Sequence, residues 1–123
     1  MHYTATAEDR RAGTLPKNIL RYLHEAIRTQ GYAAVSGLVS EETQKLLLPS
    51  ILEDVNTVRS SGELTPHEQH TGVGHLQLGL RRHAPFVRPD LAANPLIESV
   101  VAEVLGNGAW LGFYNGNVNC PGS

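Results

Sequence analysis

Six histidines are the first residues here whose type invites chemistry. His67, His70, His75 and His83 fall within one short span, and imidazole is the commonest metal ligand. The segment His67-Glu68-Gln69-His70 spaces its histidines at i and i+3 beside Pro66. The zinc-protease pattern sets them at i and i+4 on a helix, with a glutamate as base. His67 and His70 therefore read as solvated loop residues, with a loop zinc site as the rival. His75 shares one face of a period-2 stretch with Gln77. Two polar side chains pointing the same way from a sheet can take a small polar or anionic ligand; the plainer alternative is a histidine hydrogen-bonded to a neighbouring strand. Near the end of the chain, Phe113, Asn115, Asn117 and Asn119 alternate onto one face. Asparagine is poor in strands, so three on one face suit a polar-lined cavity better than a simple core. Arg81 and Arg82 are a pair able to hold a carboxylate or phosphate, but read more simply as loop solvation. Cys120 has no base near it in sequence and reads as a bystander. No phosphate loop is present, and no Ser/His/Asp arrangement stands out.

The elements that must position these residues follow from hydrophobic period and punctuation. Residues 1–14 show no apolar period and read as a loose lead-in. Ile19, Leu20, Leu23, Ala26 and Ile27 form one stripe of a helix over 15–30, with Pro16 at its first position and Gly31 as its stop. Residues 32–39 read as a brief strand and turn. Ser40, Glu41 and Glu42 open a second helix, carried to about residue 60 by Leu46, Leu47, Ile51, Val55 and Val58. Pro49 inside it predicts a kink or a division. Residues 60–72 read as loop. Residues 71–80 alternate with period 2 and predict a strand with one apolar face. Asn94, Pro95 and Gly106 bracket a helix over 95–105 whose buried stripe is Ile97, Val100, Val101, Val104 and Leu105. A last strand is expected over 110–119.

Composition bounds the partners. The chain has 123 residues, with 10 Lys plus Arg against 12 Asp plus Glu, a formal net charge of −2. That balance argues against nucleic acid or an anionic membrane as the main partner, since both reward a basic surface. Hydrophobic residues reach 41% and charged ones only 18%, which fits a folded chain rather than a disordered one, and the order of helices and strands makes its class α+β. One cysteine excludes an internal disulfide framework. No apolar run is long enough to span a bilayer, and Met1 to Ala5 show no signal-peptide pattern. A cytoplasmic protein is the expectation.

Three segments carry a family resemblance. Gly31-Tyr32-Ala33-Ala34-Val35-Ser36-Gly37-Leu38-Val39-Ser40 looks like a Gly-aromatic strand running into a Gly-Leu-hydrophobic-Ser helix cap. Asn94 to Gly106 looks like the helix that ends in Leu-Gly ahead of the first core strand, and Asn119-Cys120-Pro121-Gly122-Ser123 like the Pro-Gly-Ser turn after that strand. In order and spacing, from Gly31 to Ser123, they resemble the phytanoyl-CoA dioxygenase family of iron(II)- and 2-oxoglutarate-dependent oxygenases. The resemblance implies N-terminal helices and the first strands of a double-stranded β-helix of jelly-roll or cupin type, with residues 15–123 as the N-terminal portion of one dioxygenase-like domain. It implies iron(II) and 2-oxoglutarate as cofactors of the complete protein, and a small-molecule substrate that is hydroxylated.

The family holds its iron with a His-x-Asp pair shortly after the Pro-Gly-Ser turn and with a later histidine, a two-histidine-one-carboxylate triad. No His-x-Asp occurs in this chain: the residues two after each histidine are Thr4, Ala26, Gln69, Gly72, Gln77 and Pro85. No catalytic or metal residue can therefore be carried over, and neither cofactor is expected to bind this chain tightly. The resemblance does carry over a pocket wall, formed by His75, Gln77, Asn115, Asn117 and Asn119. Some members place a basic side chain near the position of His75. The expectation is the N-terminal part of an oxygenase, truncated or completed by a partner chain, with a strand edge left open for self-association. Two rivals stand beside it: a small non-catalytic binding or dimerisation module, and a metal-dependent hydrolase using His67, His70, His75 and His83.

Overall fold

The computed structural model describes residues 2–80 and 82–123, without the side chain of Leu80. Arg81, half of the candidate anion-binding pair, lies outside the described residues; Arg82 is exposed in a loop. The elements run β1 (His2–Thr4), α1 (Ala7–Ala12), α2 (Lys17–Gln30), β2 (Ala34–Ser36), α3 (Glu41–Ser60), α4 (Pro66–Thr71), β3 (His75–Leu80), α5 (Pro89–Ala92), α6 (Pro95–Leu105) and β4 (Asn115–Asn119). The class is mixed α+β. Among the described residues the strands form two two-stranded sheets, β1 parallel to β2 and β3 antiparallel to β4. The chain divides into two units, Met1–Ser40 with Arg88–Leu111, and Glu41–Val87 with Gly112–Ser123.

The first unit is built on the stripe of α2. Leu20, Leu23 and Ala26 recur at helical spacing and are buried, while Ile19 and Ile27 are half-buried beside them. Leu23 packs in one cluster with Ala5, Leu15, Leu20 and Leu96, flanked by Tyr3, Val35, Leu38 and Val100. Gly31 ends α2 in the left-handed conformation at φ 82°, as its place after the last periodic residue predicts. Pro16 departs from its expected place: it stands just before the helix, as the N-cap.

The lead-in is not loose in this structure. His2–Thr4 pairs with Ala34–Ser36, and Thr6 caps α1. The Thr6 hydroxyl accepts from the Asp9 amide, and the buried Asp9 carboxylate accepts from the Thr6 amide at 2.8 Å and the Tyr3 hydroxyl at 2.9 Å. Thr6-x-x-Asp9 is thus a capping box. It escapes a search for apolar period because its information is polar. Arg10 then donates to the carbonyls of Ala5 at 3.1 Å and Gly37 at 2.9 Å, tying α1 to the turn after β2.

The α6 helix spans the expected residues, and Asn94 caps it by accepting from the Leu96 amide. The Asn94 side chain is also a donor, to the Leu38 carbonyl at 3.0 Å and the Asp90 carbonyl at 2.9 Å. Its buried stripe meets expectation in part: Val100, Val101 and Val104 are half-buried and Val100 packs on the core, but the deepest residue is another. Leu96 is 1% exposed, whereas Ile97 is 40% and Leu105 73% exposed. The helix is apolar on more than one side, so period alone leaves its rotation open.

In the second unit, α3 runs undivided across Pro49. Residues 66–71 form α4 rather than loop, because Thr65 and Glu68 make a second capping box with Pro66 in the first turn. The last strand is shorter than expected: β4 begins at Asn115, and Trp110, Leu111 and Phe113 stand exposed ahead of it. Among the described residues no helix is long and apolar enough to cross a membrane.

Burial on α2 and exposure on α6 give a direct contrast. Leu23→Ala is expected to destabilise the fold by about 2–5 kcal/mol, the usual range for emptying a filled core site. Leu105→Ser should stay within about 0.5 kcal/mol, as exposed substitutions do. Urea unfolding followed by circular dichroism measures both.

Candidate functional site

The β3–β4 pair carries all five sequence-predicted pocket residues. Its register sets His75 opposite Asn119, Leu76 opposite Val118 and Gln77 opposite Asn117. Directly opposed residues in an antiparallel pair point to the same side. His75, Gln77, Asn117 and Asn119 therefore share one face, and Asn115, two residues from Asn117, shares it too. Between Gln77 and Leu80 the register shifts by one, with Gly79 at φ 78°, so that Leu80 meets Asn115. His75 and Asn115 are half-buried; Gln77, Asn117 and Asn119 are exposed. Among the described residues no hydrogen bond within the chain occupies the side chains of His75, Gln77, Asn117 or Asn119. The Asn115 side chain accepts from the Gly116 amide at 2.7 Å. The face is thus a row of donor and acceptor groups with no lysine, arginine or carboxylate among the five.

The opposite face is apolar. Leu76 is 1% exposed and Val118 is half-buried. A cavity of about 130 Å³ lies along the pair, lined by Ile51, Leu78, Phe86, Tyr114 and Val118 together with Asn115 and Asn117. The Tyr114 hydroxyl donates to the Phe86 carbonyl at 2.9 Å. Pockets that enclose a ligand run to roughly 300–1,000 Å³. This one is too small for that by itself, and His75, Gln77 and Asn119 do not line it.

What holds the pair in register is a group that apolar period does not reveal. The side chain of Glu68 is fully buried. One carboxylate oxygen accepts from the Thr65 amide and hydroxyl, each at 3.0 Å. The other accepts from the Gly74 amide at 2.9 Å and from Arg59 at 2.8 Å. These donors hold the carboxyl down to about 2, chiefly through the two backbone amides, with Arg59 adding its charge. Arg59 also donates to the Cys120 sulfur at 3.5 Å, and the Cys120 amide donates to the Gly74 carbonyl at 2.9 Å. Cys120 is accordingly part of the brace at the end of β4. Gly74 is required where it stands: at φ 91°, an added Cβ would lie 2.6 Å from the Cβ of Ser123. The sequence trace of this network was Thr65-x-x-Glu68.

The remaining metal candidates do not converge. His67 and His70 ride on α4 rather than a loop. Among the described residues no three His, Cys, Asp or Glu side chains come together in a way that could hold a metal ion. His67, His70, His75 and His83 thus form no joint site, and the residues described do not fit the iron of the oxygenase triad. Compared with protein-family models, curated proteins and solved structures, the chain finds no match.

The Glu68 network has a pH signature. The folded carboxyl lies at about 2, below its ordinary 4.5. Between those values the unfolded chain binds the proton and the folded chain does not, so stability rises with pH across the window. The contribution is complete above about 4.5 and is lost as pH falls through about 2. Urea midpoints measured from pH 5 to pH 2 should fall more steeply for the natural chain than for Glu68→Gln. A slope left over in the variant belongs to Asp9, also held below its ordinary value, mainly by the Thr6 amide. Gly74→Ala should cost about 1–3 kcal/mol through strain at a positive φ. Faster amide exchange at Leu76 and Val118 would report it.

Proposed function

We propose that this chain is the N-terminal part of a non-haem iron(II)- and 2-oxoglutarate-dependent oxygenase that hydroxylates a small molecule, with the β3–β4 pair as one wall of its pocket. The observation that carries the reading is the shared face of His75, Gln77, Asn115, Asn117 and Asn119. Five polar side chains placed on one side of an antiparallel pair suit the lining of a polar cavity, and they fall on the two strands that the phytanoyl-CoA dioxygenase resemblance assigns to the pocket. In this reading the strands belong to a double-stranded β-helix in a cytoplasmic enzyme. The row offers hydrogen bonds but no fixed positive charge, so it suits neutral polar parts of a ligand. A carboxylate would need a cation from elsewhere. The iron ligands likewise lie outside these residues, and the isolated chain is inactive.

A second reading, a small non-catalytic binding or dimerisation module, is favoured by one feature: among the described residues β4 is paired on one side only.

The deciding experiment is the intact mass of the protein from its native source, followed by an assay of succinate release with iron(II) and 2-oxoglutarate. A mass well above 13.4 kDa with succinate release is the expected result. A mass of 13.4 kDa with no succinate would overturn the oxygenase reading in favour of the module.

A further inference from the structure

We propose that β4 pairs with β4 of a second copy of this chain, antiparallel about a two-fold axis at Asn117. The direction of the backbone groups is the starting point. The Cys120 amide donates to the Gly74 carbonyl, and the register continues through Leu76–Val118 two steps on. In an antiparallel ladder, hydrogen-bonded and non-bonded pairs alternate. Gly74–Cys120 and Leu76–Val118 are therefore the bonded pairs. Asn117 and Asn119, and Asn115 by alternation, turn their main-chain N–H and C=O groups away from β3. Among the described residues no strand meets them there.

Nothing in β4 guards that edge. Proteins blunt open edges with lysine, proline, a bulge or an inward charge. Residues 115–119 read Asn-Gly-Asn-Val-Asn, with no charge and no proline. The outer edge of β3 is different, because the register shift at Gly79 breaks its regularity. Of the two edges, β4 is the one able to accept a regular partner.

The sequence of that edge is self-complementary, which selects a second copy as the occupant. Two-fold pairing must place residue i against j and j against i. Centred on Asn117, it sets Asn117 against Asn117, Asn115 against Asn119, and Gly116 against Val118. Every outward N–H then meets an outward C=O. Each asparagine faces an amide that both donates and accepts, and the small glycine faces the larger valine. No like charges oppose one another. The product is a four-stranded sheet, β3–β4–β4–β3, whose polar faces join into one. The pairing rests on the second reading, the dimerisation module, since further strands of a complete double-stranded β-helix would take the same edge.

The test uses the full 123-residue chain. Sedimentation equilibrium from micromolar to millimolar concentration should show the mass rising from 13.4 kDa towards about twice that value. Cross-linking then tests the register. At the two-fold position, the Cα atoms of a hydrogen-bonded pair stand about 5.5 Å apart, within the reach of a disulfide. In a Cys120→Ser background, Asn117→Cys should form a disulfide-linked dimer on mild oxidation. Asn115→Cys should not, because its two copies lie roughly 14 Å apart along the sheet, four residues at about 3.4 Å each. Asn117→Lys sets two positive charges face to face and should weaken the dimer at least about tenfold, partly restored by salt. The Asn117 side chain is exposed and its main chain does not bond to β3, so an unchanged circular dichroism spectrum is expected for these variants. A monomer at every concentration overturns the proposal, as does cross-linking at 115 equal to that at 117, or a dimer indifferent to Asn117→Lys.

Discussion

The second unit depends on one buried carboxylate. Glu68 accepts hydrogen bonds from Thr65, Gly74 and Arg59, and so joins the start of α4, the entry to β3 and the end of α3. A buried charge with a partner missing is strongly unfavourable, so the arrangement persists only while its donors stay in place. Gly74 is the most consequential of them. Its amide meets the carboxylate, its carbonyl meets the Cys120 amide, and its bare Cα leaves room for Ser123. The phase of β3 is set there. A slip of one residue would turn His75 and Gln77 inward and Leu76 outward. The polar face is in this sense a consequence of where a glutamate is held.

The first unit uses the same device with different residues. Asp9 stands where Glu68 does, three residues after a threonine cap, and is bonded by Thr6 and Tyr3. Asn94 does the corresponding task for α6, accepting from the helix while donating to Leu38 and Asp90. In each case a helix begins on a buried polar side chain that also bonds a residue outside the helix. Short helices such as α1 and α4 gain little from their own hydrogen bonds, since nucleation is unfavourable. Bonds that serve both the cap and the packing explain why they form at all.

The proposed roles of β4 rest on a single choice of residues. Asparagine at alternate positions turns its side chains to the His75 and Gln77 face and its main-chain groups to the open edge. The side chains suit a polar pocket wall; the edge suits a second copy. The two roles belong to the two readings, because further strands of a double-stranded β-helix would take the edge that a second copy takes.

Amphipathic period alone was enough to locate α2, α6 and the apolar face of β3, because a helix or half-buried strand must show one side to a core. It also placed His75, Gln77, Asn115, Asn117 and Asn119 on common faces, since strand alternation is a property of the backbone. It was not enough for α1 or α4, which are short and held by capping boxes whose only trace is Thr6-x-x-Asp9 and Thr65-x-x-Glu68. It missed Leu96 on α6, carried the buried stripe too far to Ile97 and Leu105, and extended β4 back over Trp110 to Phe113, because several apolar residues in a row leave rotation and boundary open until something packs on them. The Arg59–Glu68–Gly74–Cys120 network spans residues 59 to 120 and has no local pattern. Local periodicity follows from the geometry of a single element. A buried ion pair exists only once separate elements have met, and that meeting is a property of the folded chain.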